Sequence, residues 1–450
     1  MQKITPRTLP ILLSLLLAAC LGGDEGESET AAPNSSASAP TTTDSAQNPG
    51  GDATTPTSMN HSDTHNDNGY DYLNTLRTRA GMTSFHSNSL LQKAAANHAA
   101  YLTNNSATGH HESEGLAGFS GVSAAERAVA VGYPSRQVAE NVSSSYGSEE
   151  SSYHHSIDGL MSAIYHRLAF LSFDSDEVGL DLSGNGEATN YVYNMGNSAI
   201  ASLCEESSFS GVGRYYTAIC SDSTKRLEAG AYLSANETIA TEQPDRVLWP
   251  AEGDRDVPPV FFEEDPDPLP AYSVSGYPIS VQFNPAKVAS AAVTRFELFD
   301  DSGVAISDTL LLSADNDPNQ KLSPLEFVLF PLQRLQWAKT YRVELEYTVA
   351  NLPASLTWSF TTRDPGTPLY TITTEGENIS ASAGDTFVVY MPPTHATDSN
   401  GSVNWSYSGY SSGDSVEVEL IDKNTLRLEI IASDGKISVS FHDKVFTITL

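Results

Sequence analysis

Between positions 68 and 200, apolar residues recur mostly at the three- and four-residue spacing of amphipathic helices. The clearest helix follows Asn88, a residue type that caps helix N-termini. Its inward positions are Leu90, Leu91, Ala94, Ala95, His98 and Leu102. The remaining pattern predicts helices over 70–80, from Ser123 onward and over about 153–168, with strands over 137–145, 177–183 and 190–196. This mixture of helices and short strands predicts an α/β sandwich.

From residue 246 onward the pattern changes to alternation, in which every second residue is apolar, as in half-buried strands. About seven such runs within roughly 100 residues predict an immunoglobulin-like sandwich over 246–365. Residues 366–450 are predicted to form a small C-terminal β domain. In it the alternating run 426–430 is expected to turn at Asp434-Gly435 and return as a hairpin.

The first 20 residues have the pattern of a bacterial export signal: two basic residues, then an apolar run too short to span a bilayer. Leu17-Ala18-Ala19-Cys20 resembles the lipobox of bacterial lipoproteins, in which the cysteine thiol receives a diacylglycerol. The resemblance implies that Cys20 is lipidated and anchors the protein in the membrane. Leu21 in the next position implies sorting to the outer membrane. The alternative is an ordinary signal peptide in which Cys20 has no role.

Residues 21–67 contain no Lys or Arg and are rich in Ser, Thr, Gly, Asp, Asn and Pro. Such a segment cannot bury enough apolar surface to offset its conformational entropy. It is therefore predicted to be a disordered tether between the lipid anchor and the folded part.

The charge and the cysteine content of the chain limit which functions and which cellular compartments are expected. The chain has 24 Lys and Arg against 56 Asp and Glu, a net charge of −32. Nucleic-acid binding is therefore not expected, because phosphate contacts need clustered bases. Apart from Cys20, the chain has only Cys204 and Cys220, which are predicted to form a disulfide in an oxidising compartment. They lie in an extension of the helical domain, which is therefore assigned to 68–245.

Five ordered motifs in the helical domain are similar to those of bacterial CAP domains, the superfamily of cysteine-rich secretory, antigen-5 and plant pathogenesis-related proteins. In chain order they are GHHESEG, ERAVAVGY, AENVSS, LMSAIYHRL and EVGLDL. The resemblance implies an α-β-α sandwich with a cleft that carries two histidines and one or two acids.

The family's cleft residues can be carried over by position. The first histidine falls on His110, with His111 as a close competitor, and the second falls on His166. The family's Glu falls on Glu140, whereas its second acid aligns with Ala163 and is absent. The resemblance therefore implies a ligand-binding cleft formed by His110, Glu140 and His166.

Two neutral imidazoles and one carboxylate could hold Zn²⁺ in an open site, so His110 and His166 are the expected metal ligands. Glu140 would then be the base for a metal-bound water, with His166 as the second catalytic residue. Alternatively, Glu140 and His166 only hydrogen-bond across the cleft. Glu112 is close enough in sequence to His110 to replace the missing acid, and His98 is interpreted as a hydrogen-bonded core histidine.

Two other signals have plain structural alternatives. Asp315-Asn316-Asp317 fits a calcium site or, more simply, an Asx turn. Trp405, Tyr407 and Tyr410 fit a sugar-stacking surface or packed core aromatics.

Three functional hypotheses follow. In the first, the protein is an outer-membrane lipoprotein whose CAP domain binds a small-molecule, lipid or protein ligand, with the β domains as spacers or adhesion modules. In the second, it is a metal-assisted hydrolase, such as a peptidase, that uses Glu140 and His166. In the third, it is a structural envelope protein with an inert cleft.

Overall fold

The computed structural model describes residues 18–20, 68–146, 152–373, 378–392, 404–409, 416–431, 435–441 and 444–449. Of the predicted signal peptide, residues 1–20, only residues 18–20 are described, and the predicted tether 21–67 lies outside these ranges. Every helix within the described ranges is too short or too polar to span a bilayer.

The helices of the described ranges all lie before residue 243. The first five lie where helical spacing predicts helices, whereas the last two, within 198–242, were not predicted. They are α1 (Gly69–Arg79), α2 (Ser89–Asn105), α3 (Ala124–Ala130), α4 (Tyr153–Ser162), α5 (Ile164–Phe170), α6 (Ser198–Glu205) and α7 (Ala229–Glu242). Asn88 caps α2 as predicted, because its side chain accepts hydrogen bonds from the backbone N–H groups of Leu90 and Leu91.

The single helix predicted over 153–168 is interrupted at Ala163. This residue has an extended conformation, with φ −82° and ψ 118°, and it separates α4 from α5. The carboxylate of Glu264 accepts hydrogen bonds from the first two N–H groups of α5, those of Ile164 at 2.6 Å and Tyr165 at 3.1 Å. Local spacing did not predict the break because the side chain that caps α5 comes from a distant part of the chain.

The helices pack on both faces of a sheet with strand order β1-β3-β5-β4-β2. Its strands are β1 (Ala18–Cys20), β2 (His86–Ser87), β3 (Val138–Tyr146), β4 (Glu177–Gly184) and β5 (Ala188–Gly196). In the antiparallel pairing of β3 with β5, Glu140 lies opposite Asn194 and Asn141 opposite Tyr193. Glu140 and Asn194 contact residues of α2. Asn141 and Tyr193 instead contact residues of α5 and α4. The three layers agree with the predicted α-β-α sandwich.

A short extension follows the sheet. Cys204 at the end of α6 forms a disulfide with Cys220, with an S–S distance of 2.04 Å, as their pairing in the sequence predicts. Next, β6 (Tyr215–Tyr216) pairs antiparallel with β7 (Leu227–Glu228), and this two-stranded ribbon packs beside α7.

Residues 246–362 form two four-stranded sheets, with strand orders β12-β13-β10-β8 and β11-β14-β15-β9. The apolar alternating runs of the sequence lie in these strands. They are β8 (Arg246–Trp249), β9 (Asp254–Val257), β10 (Ile279–Phe283), β11 (Ala291–Phe299), β12 (Thr309–Ser313), β13 (Glu326–Pro331), β14 (Thr340–Val349) and β15 (Leu352–Thr362). The two sheets bury one hydrophobic core between them. This unit is called the β-sandwich below, and its immunoglobulin-like character stays a prediction.

The last unit also has two four-stranded sheets, with orders β16-β18-β21-β20 and β17-β23-β22-β19. Its strands are β16 (Leu369–Thr371), β17 (Asn378–Ser380), β18 (Thr386–Tyr390), β19 (Asn404–Gly409), β20 (Val416–Asp422), β21 (Thr425–Ile430), β22 (Gly435–Phe441) and β23 (Lys444–Thr449). The predicted hairpin is wrong, because β21 and β22 belong to different sheets. Both edges of β21 are already paired, with β18 and with β20, so no edge is left for β22.

The hydrophobic core of the β-sandwich continues into the helical unit through α4 and α5. Polar contacts reinforce the junction. The Arg167 guanidinium donates to the carbonyl of Pro278 at 2.8 Å, and the Tyr277 hydroxyl donates to the carbonyl of Met161 at 2.9 Å. The predicted boundary at residue 245 therefore separates two units that share a core.

Candidate functional site

A buried polar cluster lies between α2, α3 and β3. Glu140 of β3 is its centre, and Arg127 of α3 donates from one nitrogen to both carboxylate oxygens, at 2.7 and 2.8 Å. His110, in the loop between α2 and α3, contacts the same carboxylate through Nδ1 at 3.0 Å. The structure therefore brings together two of the three predicted cleft residues.

A second carboxylate belongs to the same cluster. Glu112 contacts His98 Nδ1 at 3.0 Å and accepts a hydrogen bond from the backbone N–H of Ser120 at 2.6 Å. The other nitrogen of His98 lies 3.0 Å from the carbonyl of Gly109, and the side chain is fully buried. His98 is thus the hydrogen-bonded core histidine that the sequence predicts. We call His98, His110, Glu112, Arg127 and Glu140 the polar cluster.

Both carboxylates of the polar cluster are held in the ionised form. Burial alone would raise the pKa of Glu140, but Arg127, His98 and His110 outweigh it and lower that pKa to about 2. Burial likewise opposes ionisation of Glu112, yet its hydrogen bonds from His98 and Ser120 lower its pKa. Arg127 is fully buried, so the cluster is a compact, charged unit inside the domain.

His166 is not part of this cluster. Its Nδ1 lies 2.9 Å from Glu264 Oε2, and its side chain is fully buried. No hydrogen bond or ion pair joins it to His110 or Glu140 within the described ranges, where its Nε2 has no hydrogen-bond partner. The expectation that His110, Glu140 and His166 meet in one cleft is therefore not met.

The reason lies in strand geometry. Successive residues of a strand point to opposite faces of the sheet. Glu140 points toward α2 and α3, whereas its neighbour Asn141 donates to the backbone carbonyl of His166 at 2.9 Å on the α5 side. On that side, the carboxylate of Glu264 from the β-sandwich unit takes the place beside the imidazole.

Zinc binding by His110 and His166 stays a prediction. Each histidine directs Nδ1 to a different carboxylate, that of Glu140 in the polar cluster and that of Glu264 at the junction with the β-sandwich. In the part of the chain that the structure describes, no group of three or more His, Cys, Asp or Glu side chains is arranged to hold a metal ion.

The polar cluster reaches the surface only at its edge. The His110 side chain is 8% exposed, while the side chains of Glu140 and Arg127 are exposed by 1% or less. His111 is exposed. A molecule that approaches this edge would meet the imidazole groups of His110 and His111, which can take part in hydrogen bonds as donors or acceptors.

The other predicted sites have structural roles or lie outside the described residues. Asn316 accepts a hydrogen bond from the backbone N–H of Ser313 at 2.8 Å. Asp317 accepts bonds from three backbone N–H groups of the turn that follows it. The contact of Asp317 with the N–H of Asn319, two residues further on, is that of an Asx turn. The predicted sugar-stacking residues lie outside what the structure describes. This applies to the side chains of Trp405 and Tyr407 and to the whole of Tyr410.

Sequence reasoning missed two residues that organise these sites. Arg127 stands in the ERAVAVGY motif, so the signal was present, but the motif was not recognised as the source of a buried cation. Glu264 lies in a Pro-rich acidic segment, and its role depends entirely on the packing of two units.

Comparison with known proteins agrees with the motifs. A family model of the cysteine-rich secretory protein family (CAP) matches residues 70–195. The chain therefore contains a CAP domain, which forms the first part of a larger, β-rich protein. No curated protein matches the chain.

Solved structures with some similarity include an outer surface protein from Borrelia burgdorferi. It is 17% identical, with a TM-score of 0.24, and the match covers 28% of this chain and 88% of that chain. An endo-fucoidan hydrolase from glycoside hydrolase family 107 is 13% identical, with a TM-score of 0.19, over 50% of this chain and 38% of that one. A titin Ig tandem is 10% identical, with a TM-score of 0.17, over 45% and 96% of the two chains. TM-scores this low do not establish a shared fold.

Proposed function

We propose that this protein is a lipoprotein of the bacterial cell envelope, anchored through Cys20 in the outer membrane, whose CAP domain binds a ligand or partner beside His110. The observation that carries the proposal is the polar cluster, in which a buried carboxylate holds His110 at the domain surface. The two β units then act as spacers or adhesion modules.

The contacts of Glu140 favour binding over hydrolysis. A general base is effective when its pKa lies near the working pH, whereas the pKa of Glu140 is lowered to about 2. Its two oxygens are occupied by Arg127, and His166, its expected catalytic partner, is bonded to Glu264. A metal-assisted hydrolase would need both residues in one accessible site.

The anchor is tested by expressing the whole chain in a Gram-negative host with radiolabelled palmitate. We expect label in the protein and recovery in the outer-membrane fraction, and loss of both in the Cys20→Ala variant. Unchanged labelling and fractionation of that variant would refute the lipid anchor, whatever the CAP domain binds.

The binding site is tested with the mature, detergent-solubilised protein against three probes: phospholipid vesicles, soluble peptidoglycan fragments and unstructured peptides. We expect one of them to bind, and the His110→Ala variant to bind it at least about tenfold more weakly. His86→Ala, which removes an exposed histidine of β2, is the matched control and should bind normally.

Equal binding by the wild type and His110→Ala, or no binding of any probe, would contradict this site and favour the structural hypothesis. Cleavage of the peptides that disappears in Glu140→Gln would instead favour the hydrolase.

A further inference from the structure

The ribbon of β6 and β7 carries an exposed aromatic surface that the proposed function does not use. Of the ten exposed large hydrophobic side chains in the described residues, four lie between positions 212 and 233. They are Val212, Tyr215, Tyr216 and Leu233. Isolated exposed apolar side chains are common on soluble proteins, whereas their concentration in one small region marks an interaction surface.

The two sides of the ribbon differ. Tyr215 and Tyr216 are successive strand residues and point to opposite sides. Tyr216 packs against Tyr232 of α7, with ring centroids 4.6 Å apart, and thus faces the body of the domain. Tyr215 lies on the outer side, where the guanidinium carbon of Arg226 is 3.6 Å from its ring centroid.

Phe209 extends the outer side. Its ring centroid lies 5.6 Å from the same guanidinium carbon, and its backbone N–H donates to the carbonyl of Arg226 at 2.8 Å. Arg226 is therefore held between two aromatic rings by cation–π contacts. We call Phe209, Tyr215 and Arg226 the ribbon face.

The ribbon is basic although the chain is strongly acidic. Residues 209–228 contain three bases, Arg214, Lys225 and Arg226, against two acids, Asp222 and Glu228, which gives a net charge of +1 in a chain of −32. Lys225 donates to backbone carbonyls, and Arg226 lies against aromatic rings. None of the three bases forms an ion pair with a carboxylate in the described residues.

The two acids of the ribbon segment are already engaged. Asp222 accepts hydrogen bonds from the backbone and side chain of Thr224 in its own turn. Glu228 of β7 caps α7 by accepting from the N–H of Ala231 at 2.7 Å. Within the described residues Arg226 forms no ion pair, and its Nε is buried without a hydrogen-bond partner. The terminal guanidinium nitrogens are therefore the groups that a carboxylate would contact.

The surface is also held in place before any partner arrives. The Cys204–Cys220 disulfide closes the loop that leads into the extension, and the Tyr232 hydroxyl accepts a hydrogen bond from Gln137 of the CAP domain at 2.6 Å. Preorganisation of this kind lowers the entropy cost of association.

We propose that the ribbon face binds an acidic segment of another protein. Tyrosine and arginine are the side chains most enriched at the energetic centres of protein interfaces, and an acidic partner complements the local positive charge. The overall negative charge of the chain does not prevent this, because charges more than about 8 Å away are largely screened at 0.15 M salt.

The test measures fluorescence anisotropy of a labelled peptide of repeating Asp, Gly, Glu and Ser with the whole mature protein at about 0.15 M salt. A peptide with Asn and Gln in place of the acids is the matched probe. We expect the acidic peptide to bind at least about tenfold more tightly than the amide peptide, and the Tyr215→Ala/Arg226→Gln double variant to lose this preference.

Two further variants keep the result interpretable. Arg226→Lys retains the charge without the planar stack and should give intermediate affinity, while Arg255→Gln removes an exposed base of β9 and should change nothing. Equal binding of the two peptides, or unchanged binding by the double variant, would overturn the proposal. So would a dextran sulfate complex that needs the ribbon face while the acidic peptide fails to bind.

Discussion

Two buried histidine–glutamate pairs in this protein have nearly the same geometry. His110 Nδ1 lies 3.0 Å from Glu140 in the polar cluster, and His166 Nδ1 lies 2.9 Å from Glu264 at the junction with the β-sandwich. Burial raises the carboxyl pKa in both places. The pKa of Glu140 is nevertheless lowered to about 2, whereas that of Glu264 stays above its ordinary value. A group other than the histidine must cause the difference.

Arginine placement is that cause. Arg127 binds both oxygens of Glu140 directly. Near Glu264, the buried cation is Arg167, but it donates to the backbone carbonyls of Met161 and Pro278. Among the described residues, Glu264 then has only backbone N–H groups and His166 as partners. Direct contact with a guanidinium thus turns one carboxylate into a fixed anion, while the other keeps its proton to a higher pH.

Among these predictions, substitution of Arg127 should lower the free energy of unfolding most. In Arg127→Met, Glu140 and Glu112 remain buried without their cation, so we expect the free energy of unfolding to fall by about 3–5 kcal/mol. Thermal melting followed by the helical circular dichroism signal reports on the CAP domain, because the described helices all lie there. Arg295→Met, which removes a partly exposed arginine from the β-sandwich, is the control and should cost about 1 kcal/mol or less. A similar loss in both variants would show that burial of the cluster is not decisive.

On acidification, the two histidine–glutamate pairs should change the stability of the protein in opposite directions. The folded pKa of Glu140 is depressed, so its contribution is present above about pH 4.5 and is lost as pH falls toward 2. The shift corresponds to about 3 kcal/mol at most. The folded pKa of Glu264 is raised, so its contribution is complete below about pH 4.5 and is lost as pH rises through the folded value.

Amide hydrogen exchange of β3 and α5, corrected for intrinsic exchange rates, measures the two responses. We expect protection of β3 to fall on acidification, with a smaller slope in Glu140→Gln. Protection of α5 should show the opposite trend, with a smaller slope in Glu264→Gln. If protection of β3 and of α5 changed in the same direction on acidification, the proposed difference between Glu140 and Glu264 would be refuted.

Substitution of Glu264 should have the next largest effect. Glu264→Ala leaves the backbone N–H groups of Ile164 and Tyr165 and the Nδ1 atom of His166 buried without their partner, so we expect a loss of about 1–3 kcal/mol. Glu264→Gln keeps an acceptor oxygen and removes a buried charge, so its stability at neutral pH should equal or exceed that of the wild type. Urea unfolding at pH 7 compares the two. A Gln variant as unstable as the Ala variant would mean that the charge of Glu264 is required.

Sequence patterns predicted the local features of the fold. Asn88 caps α2, His98 is a satisfied core histidine, and Cys204 pairs with Cys220, because each feature depends on chemistry within a short stretch or on a count of cysteines. The family motifs likewise placed His110 beside Glu140.

The predictions that the structure contradicts concern features that depend on distant parts of the chain. The break at Ala163 and the position of His166 both result from Glu264, which enters from the β-sandwich unit. The separation of β21 from β22 depends on which strands already occupy the edges of β21. Neither the spacing of apolar residues nor the order of the motifs contains information on such long-range partners.

The smallest expected effect concerns an ion pair at the same junction but closer to solvent. Arg363 bonds Asp158 of α4 at 3.1 Å and Asp256 at 3.0 Å, and its side chain is 31% exposed. We expect Arg363→Gln to lower the free energy of unfolding by about 1 kcal/mol or less, and less still at high salt, because partly exposed ion pairs are weak and screened. Melting at low and high salt measures this. A loss as large as that of Arg127→Met, or one that salt leaves unchanged, would mean that arginine pairing alone, without deep burial, accounts for the contrast between the two glutamates.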